Sequence, residues 1–290
     1  MPIKKTLITL LIFVSALNLS GLESAYADDK SPKKVKIKKK KINFSLNLLS
    51  QNLKELKPDE SFYAVESDIA FRWLPIVTLI RDGKIDRQSA IDSMFNFTNE
   101  VWEYLDAAIK KNKTGKYSVD EWVFPVKGYT PAAIGGRNGS GYISAGFDFF
   151  EQKSGGHPAH DIFIKDVNQD CLDDFTNRPV EIISMSGGLV VETRKDWTPD
   201  RTDIRGGNIV YVYDNFTNGL FYYAHLNEVY VNIGDFVKPG TELGTMGRTG
   251  ANAYPKRSPT HLHLMYVRSL DGDLVPEDIY NDLLNAKLTD

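Results

Sequence analysis

Two histidines, His261 and His263, stand one residue apart in SPTHLHLMYV (258–267), a run otherwise rich in strand-forming residues. Side chains alternate across a strand, so both imidazoles point to one face. Such a pair lines a polar groove, meets a metal, or does both. The other three histidines, His157, His160 and His225, fall in the same part of the chain. HPAHD supplies His157 and Asp161 four positions apart, again one face in an extended segment. Two imidazoles and one carboxylate are enough for a catalytic zinc site, which takes three protein ligands and keeps a fourth position for water. The helical His-Glu-x-x-His pattern of zinc proteases is absent.

Strands are needed to position these groups, and the sequence supplies them. From Trp122 onward, runs rich in Val, Ile, Tyr and Phe alternate with clusters of Gly, Asn, Asp and Pro. GGLVVETRKDW, GGNIVYVYDN, GLFYYAHL, EVYVNIGDFVKPGTELGTMG and HLHLMYVRSLDGD read as strands and turns. Asn218-Gly219 marks a hairpin. A short helix closes the chain in PEDIYNDLLNAK. Upstream, Ile91, Phe95, Thr98, Trp102, Leu105 and Ile109 form one stripe at helical spacing, with Asp86 as its N-cap. Ile69, Trp73, Val77 and Ile80 form a second stripe ending at Asp82-Gly83, with Pro75 either kinking that helix or marking its start. The predicted class is mainly β: an antiparallel β-sheet domain over 119–290, preceded by a small helical region over 44–118.

At this point the residues resemble a known family, the M23 zinc metallopeptidases of the lysostaphin or LytM type. HPAHD matches its His-x-x-x-Asp, YYAHL its Tyr-Ala-His-Leu, and THLHL its His-x-His. GDFVKPGTELGTMGRTG is similar to the glycine-spaced run before the His-x-His, and FPVKGY and IGGRNGSGY to the entry strands. The resemblance implies an antiparallel β metallopeptidase domain that holds Zn2+ through His157, Asp161 and His263. It makes His225 and His261 the non-ligand catalytic pair. One histidine of the opening pair would then hold zinc while its neighbour moves protons. Zinc acidifies water and polarises a scissile carbonyl, and a nearby imidazole takes the proton. His261 is expected as base and His225 as oxyanion stabiliser, and the two roles are exchangeable. Tyr223 reads as a core tyrosine or a donor behind the site. His160 has no role in the family and reads as a surface residue or one just behind the ligands.

The chain departs from that pattern in two places. Leu264 and Met265 follow the His-x-His where the family has Phe-Glu. An insertion, IFIKDVNQDCLDDFTNRPV, follows Asp161. Within it Asp166, Asn168 and Asp170 have the spacing of Ca2+ ligands, although Cys171 and Asn177 stand where a calcium loop needs Gly and Glu. A solvated acidic turn is the other reading of this loop.

The first 27 residues have the layout of an export signal: Lys4 and Lys5, an apolar run, then Ala25-Tyr26-Ala27. Cleavage after Ala27 is expected, with an uncleaved anchor as the rival. The protein is thus expected in the periplasm, outside the cell, or on the envelope. Residues 28–43 form a basic arm, with eight lysines between Lys30 and Lys41. This arm suits an anionic envelope polymer or membrane surface. The whole-chain charge of −3 gives no reason to expect a nucleic-acid partner. With Cys171 as the single cysteine, no intrachain disulfide forms. The family cuts peptide bridges of bacterial peptidoglycan, which is therefore the expected substrate. The alternatives are a non-catalytic regulator built on the same domain and a secreted zinc peptidase acting on proteins or peptides. The helical region could gate the groove, and removal of 44–115 would then raise activity.

Overall fold

The computed structural model describes residues 69–151 and 155–290. The expected export signal over 1–27, the basic arm over 28–43 and residues 44–68 of the expected helical region lie outside the described residues. Helices α1 (Trp73–Arg81) and α2 (Arg87–Lys110) come first. Pro75 lies in the first turn of α1, where a missing N–H is tolerated, so it marks a start. Gly83, at φ +58°, turns the chain out of α1. The Gly83 and Lys84 amides donate to Ile80 O at 3.0 Å and Leu79 O at 2.8 Å, closing the helix end. Asp86 caps α2 by accepting from the Ser89 amide at 3.0 Å.

The inner face of α2 is Ala90, Met94, Phe97, Val101, Leu105 and Ala108. This differs from the predicted stripe. Phe95 and Trp102 are 42% and 43% exposed. Two apolar stripes lie side by side on this helix, and a one-residue change of stripe rotates it by about 100°. The stripe facing the sheet is selected by packing on Trp73, whose ring centroid lies 5.6 Å from that of Phe97.

Nine strands form one antiparallel sheet: β1 (His160–Phe163), β2 (Glu181–Ile183), β3 (Gly188–Arg194), β4 (Asn208–Asp214), β5 (Gly219–Val229), β6 (Phe236–Val237), β7 (Glu242–Met246), β8 (His261–Leu270) and β9 (Asp273–Pro276). Their order is β1-β8-β5-β4-β3-β6, with β9 on β8 and β7 joining β2 to β5. Helix α3 (Tyr280–Asn285) follows the last strand. The β4–β5 hairpin forms where expected, but its turn spans Asn215–Asn218, with Asn218 at φ +54°. The segments FPVKGY and IGGRNGSGY do not run as strands. They touch the sheet through single bridges, Val126–Ile182 and Ile134–Ile162, separated by a 3-10 turn, and Ile143 just beyond them bridges to His157.

Both faces of the sheet are covered. On one face Trp122, Phe124 and Val126 pack with Leu262, Leu264, Tyr266, Phe221 and Tyr223. On the other, α1 and α2 pack with Leu189, Val191, Tyr211, Tyr213, Met265 and Val267. Trp73 joins helix to sheet. Its ring centroid lies 5.2 Å from that of Tyr211, and its indole N–H donates to the buried Glu192 carboxylate at 2.8 Å. Burial pushes the Glu192 pKa up, against the pull of that hydrogen bond. The described residues form one compact unit. The helices are therefore a fixed part of the core. Removing 44–115 would uncover an apolar sheet face, so loss of the fold is expected in place of a gain in activity.

This shared core predicts a large stability loss for Trp73→Ala, about 3–5 kcal/mol. Trp73→Phe, which keeps a ring but strips a partner from Glu192, should cost about 1–3 kcal/mol. Urea denaturation midpoints measure both, and unchanged midpoints would show that the helices do not share the core.

Candidate active site

The site is built on three adjacent strands, β1, β8 and β5. Antiparallel pairing sets Asp161 opposite His263, Phe163 opposite His261, and Ala224 opposite His263. Along β8, Leu262, Leu264 and Tyr266 enter one core, while Met265 and Val267 enter the other. His261 and His263 fall on the same side as Met265 and Val267, as alternation requires. His157 arrives by another route. It precedes β1 and bridges to Ile143, and its own Nδ1–H donates to Gly141 O at 2.9 Å. A carbonyl only accepts, so the neutral ring keeps its Nε2 lone pair for the site.

Three groups meet there. His263 Nδ1 lies 3.0 Å from Asp161 Oδ1 and 3.2 Å from His157 Nε2. His157 Nε2 lies 3.2 Å from Asp161 Oδ1. Among the described residues this is the one group of three His, Cys, Asp or Glu side chains whose donor atoms cluster for a metal ion. Two imidazole nitrogens and a carboxylate oxygen, aimed at one point and partly open to solvent, fit zinc. The hydrogen bond to Asp161 raises the His157 pKa against burial. Burial pushes Asp161 up, but hydrogen bonds from His157 and His263 outweigh it and hold the carboxyl well below its usual range.

His225 and His261 stand beside this group with ring centroids 4.9 Å apart, and the ring of His225 lies 5.6 Å from that of His263. Each spends its Nδ1–H on a backbone carbonyl, His225 on Thr249 O at 2.8 Å and His261 on Pro259 O at 2.7 Å. The Nε2 atom of each neutral ring is therefore an acceptor. His261 Nε2 lies 3.8 Å from Asp161 Oδ1. Burial drives the His225 pKa down to about 3, helped by the neighbouring His263 and His261. Burial also lowers His261, against the pull of Asp161.

His225 owes its position to a bulge. The register of β5 against β4 shifts between Asn208 and Ile209, which leaves His225 as the extra residue, at φ +67°. Non-glycine residues rarely take this conformation. Two neighbouring backbone segments approach closely through glycines beside it. A Cβ on Gly207 (φ +65°) would lie 2.2 Å from the Thr249 carbonyl carbon, and one on Gly250 (φ +97°) would lie 2.2 Å from Arg205 O. This approach brings the Thr249 carbonyl to His225.

The bulge also explains the tyrosine beside the site. Tyr223 points into the far core and accepts from the Met185 amide at 2.8 Å, so it is a core residue. Because Ala224 and His225 share a face across the bulge, it is Tyr222 that lies on the site side, its ring 6.1 Å from that of His263. Sequence alternation alone pointed past it. His160 does not lie at the surface, one of its two expected places. It is 1% exposed, on the face of β1 away from Asp161, with Nε2 on Asp278 at 2.9 Å and its ring 5.5 Å from that of Tyr142.

The calcium reading is not supported. Asp166 accepts from the Asp170 amide at 3.1 Å, the Cys171 amide at 2.9 Å and the Thr260 hydroxyl at 2.6 Å. Asp170 accepts from the Leu172 amide at 2.9 Å and the Asn168 side-chain amide at 2.8 Å. The oxygens of Asp166, Asn168 and Asp170 thus close the loop through its own N–H groups, instead of collecting the six to eight oxygens calcium takes.

The comparisons with known proteins bear on this domain. Its β domain is M23-like: residues 170–273 match the model of peptidase family M23. His157 and Asp161 lie ahead of the matched stretch, which begins inside the inserted loop. A search of curated proteins finds no match. Among solved structures, the catalytic domain of the antimicrobial peptidase lysostaphin from Staphylococcus simulans is 23% identical, with a TM-score of 0.33, covering 49% of this chain and 86% of that one. A protein from Ruminococcus gnavus, assigned as a glycyl-glycine endopeptidase lytM, is 21% identical, with a TM-score of 0.41, covering 79% of this chain and 95% of that one. A zinc containing peptidase from Vibrio cholerae is 19% identical, with a TM-score of 0.36, covering 58% of this chain and 40% of that one.

Two outcomes follow from the geometry. If the backbone at His225 is held in a left-handed conformation, His225→Gly should be more stable than His225→Ala by about 1 kcal/mol. Equal or reversed stability in chemical denaturation would remove the strain argument. Calcium, added or chelated, should leave the melting temperature unchanged, and a rise with added calcium would restore the calcium loop.

Proposed function

We propose that this chain is an exported zinc metallo-endopeptidase that hydrolyses peptide cross-links of bacterial peptidoglycan. One observation carries the reading: His157, Asp161 and His263 converge within 3.2 Å beside two further imidazoles. The M23 match supports peptide-bond hydrolysis. The likeness of the three motifs to the lysostaphin type supports peptidoglycan as substrate. The sequence of residues 1–27 supports export, and the Lys30–Lys41 arm supports attraction to an anionic envelope.

His157, Asp161 and His263 would hold the zinc. When bound there, zinc supplies a Lewis acid that acidifies water and polarises the scissile carbonyl. The proton chemistry belongs to the protein. His261 accepts the proton of the attacking water at Nε2, because its Nδ1–H is committed to Pro259 O. His225 is also an acceptor at Nε2 while neutral. It donates towards a tetrahedral oxyanion only after taking a proton itself, which amends the simple donor role the motif implies. The Nδ1 bonds fix both rings, so little reorganisation accompanies the proton transfer.

The test uses residues 28–290 loaded with zinc and incubated with purified peptidoglycan, with released fragments read by mass spectrometry. New free peptide ends, absent with His263→Ala and after chelation, are expected. Cleavage of unrelated proteins with intact peptidoglycan, or zinc binding with no cleavage of either, would overturn the reading.

A further inference from the structure

Arg248 lies just beyond β7 and is 6% exposed. Its guanidinium donates to three backbone carbonyls of one loop, Ser258 O, Tyr254 O at 3.2 Å and Pro255 O at 3.0 Å. Asp166, in the inserted loop, is 7% exposed and accepts from the Thr260 hydroxyl at 2.6 Å. Gln169 of the same loop donates to Lys256 O at 2.9 Å. Two buried charged side chains therefore grip the chain on either side of Pro259. The Pro259 carbonyl is the acceptor for His261 Nδ1–H. On another side of that imidazole lies Phe163, with ring centroids 5.2 Å apart.

Burying an arginine and an aspartate is expensive unless every polar atom finds a partner. Here the partners are backbone groups next to a site residue. A charged hydrogen bond to a carbonyl is stronger than a neutral one and fixes its direction more firmly. An imidazole restrained only by its two side-chain torsions would swing and exchange tautomers. One anchored to an immobile carbonyl would do neither.

We propose that Arg248 and Asp166 are positioning residues, which clamp the 254–260 loop so that the Pro259 carbonyl holds the His261 ring with Nε2 turned to the metal centre. The functional consequence rests on the reading of His261 as proton acceptor. The inserted loop thereby gains a role that calcium binding does not supply.

The test takes the zinc-loaded chain with 15N-labelled histidine and records long-range 1H–15N spectra at neutral pH, for wild type, Arg248→Met and Thr260→Val. Thr260→Val removes one hydrogen bond and keeps the shape, and it decides alone if Arg248→Met does not fold. Wild type should show His261 with one protonated and one unprotonated ring nitrogen. Both variants should move the two His261 signals toward the averaged values of exchanging tautomers, with His157, His263 and zinc affinity unchanged. On a cleaved peptide, kcat should fall about 10- to 100-fold with KM nearly constant, the size expected when a reacting group is misplaced by about 1 Å. Wild-type His261 signals in the folded variants would overturn the proposal. A wild-type protein that cleaves nothing would defeat the functional reading alone, since the spectra remain readable.

Discussion

The site depends on one register. Strand β8 pairs with β1 so that Asp161 faces His263, and with β5 so that Ala224 faces His263 from the other side. A slip of one residue would turn His261 and His263 into the core that now holds Leu262 and Leu264, and bring those leucines to the site. That register is guarded by both cores at once, since alternate residues of β8 belong to different hydrophobic clusters. Hydrophobic burial thus fixes the position of a polar site made of groups that would otherwise repel apolar neighbours.

The remaining constraints act on orientation. Gly141, Thr249 and Pro259 each offer a carbonyl to a histidine Nδ1. Three rings therefore present Nε2, while His263 presents Nδ1 to Asp161. A fixed tautomer is what separates a metal ligand or proton acceptor from a merely buried histidine. The left-handed backbone at His225 costs stability, and the residue is held there by its amide on Gly206 O and its ring on Thr249 O. The helices extend the same logic. Trp73 and Glu192 lock them to the sheet face that carries the site, so they act as scaffold.

Much of this was legible in the residues. The i, i+2 histidines announced a shared face, and the order of the three motifs pointed to the five side chains that converge. The antiparallel β domain and its closing helix followed from strand-rich runs and turn residues. The failures have identifiable causes. On α2 two apolar stripes compete, and packing against Trp73 and the sheet, which are distant in sequence, buries Met94 and Phe97 in place of Phe95 and Trp102. At YYAHL the bulge breaks alternation, so Tyr222 lies beside the site while Tyr223 does not. In the inserted loop the spacing of Asp166, Asn168 and Asp170 fits oxygen ligands and also fits carboxylates that cap their own backbone, and spacing cannot separate the two. His160 reads as a surface residue or one just behind the ligands, because sequence alone does not separate the two. Its burial comes from Tyr142 and Asp278, which are distant in sequence.

The central claim is that His157, Asp161 and His263 form a metal centre while His225 and His261 remain outside it. A zinc K-edge absorption spectrum tests this directly, recorded on the zinc-loaded protein and on the His225→Ala, His261→Ala double variant. The account predicts two imidazoles and one carboxylate on zinc in both proteins. Loss of an imidazole from the zinc in the double variant would contradict it.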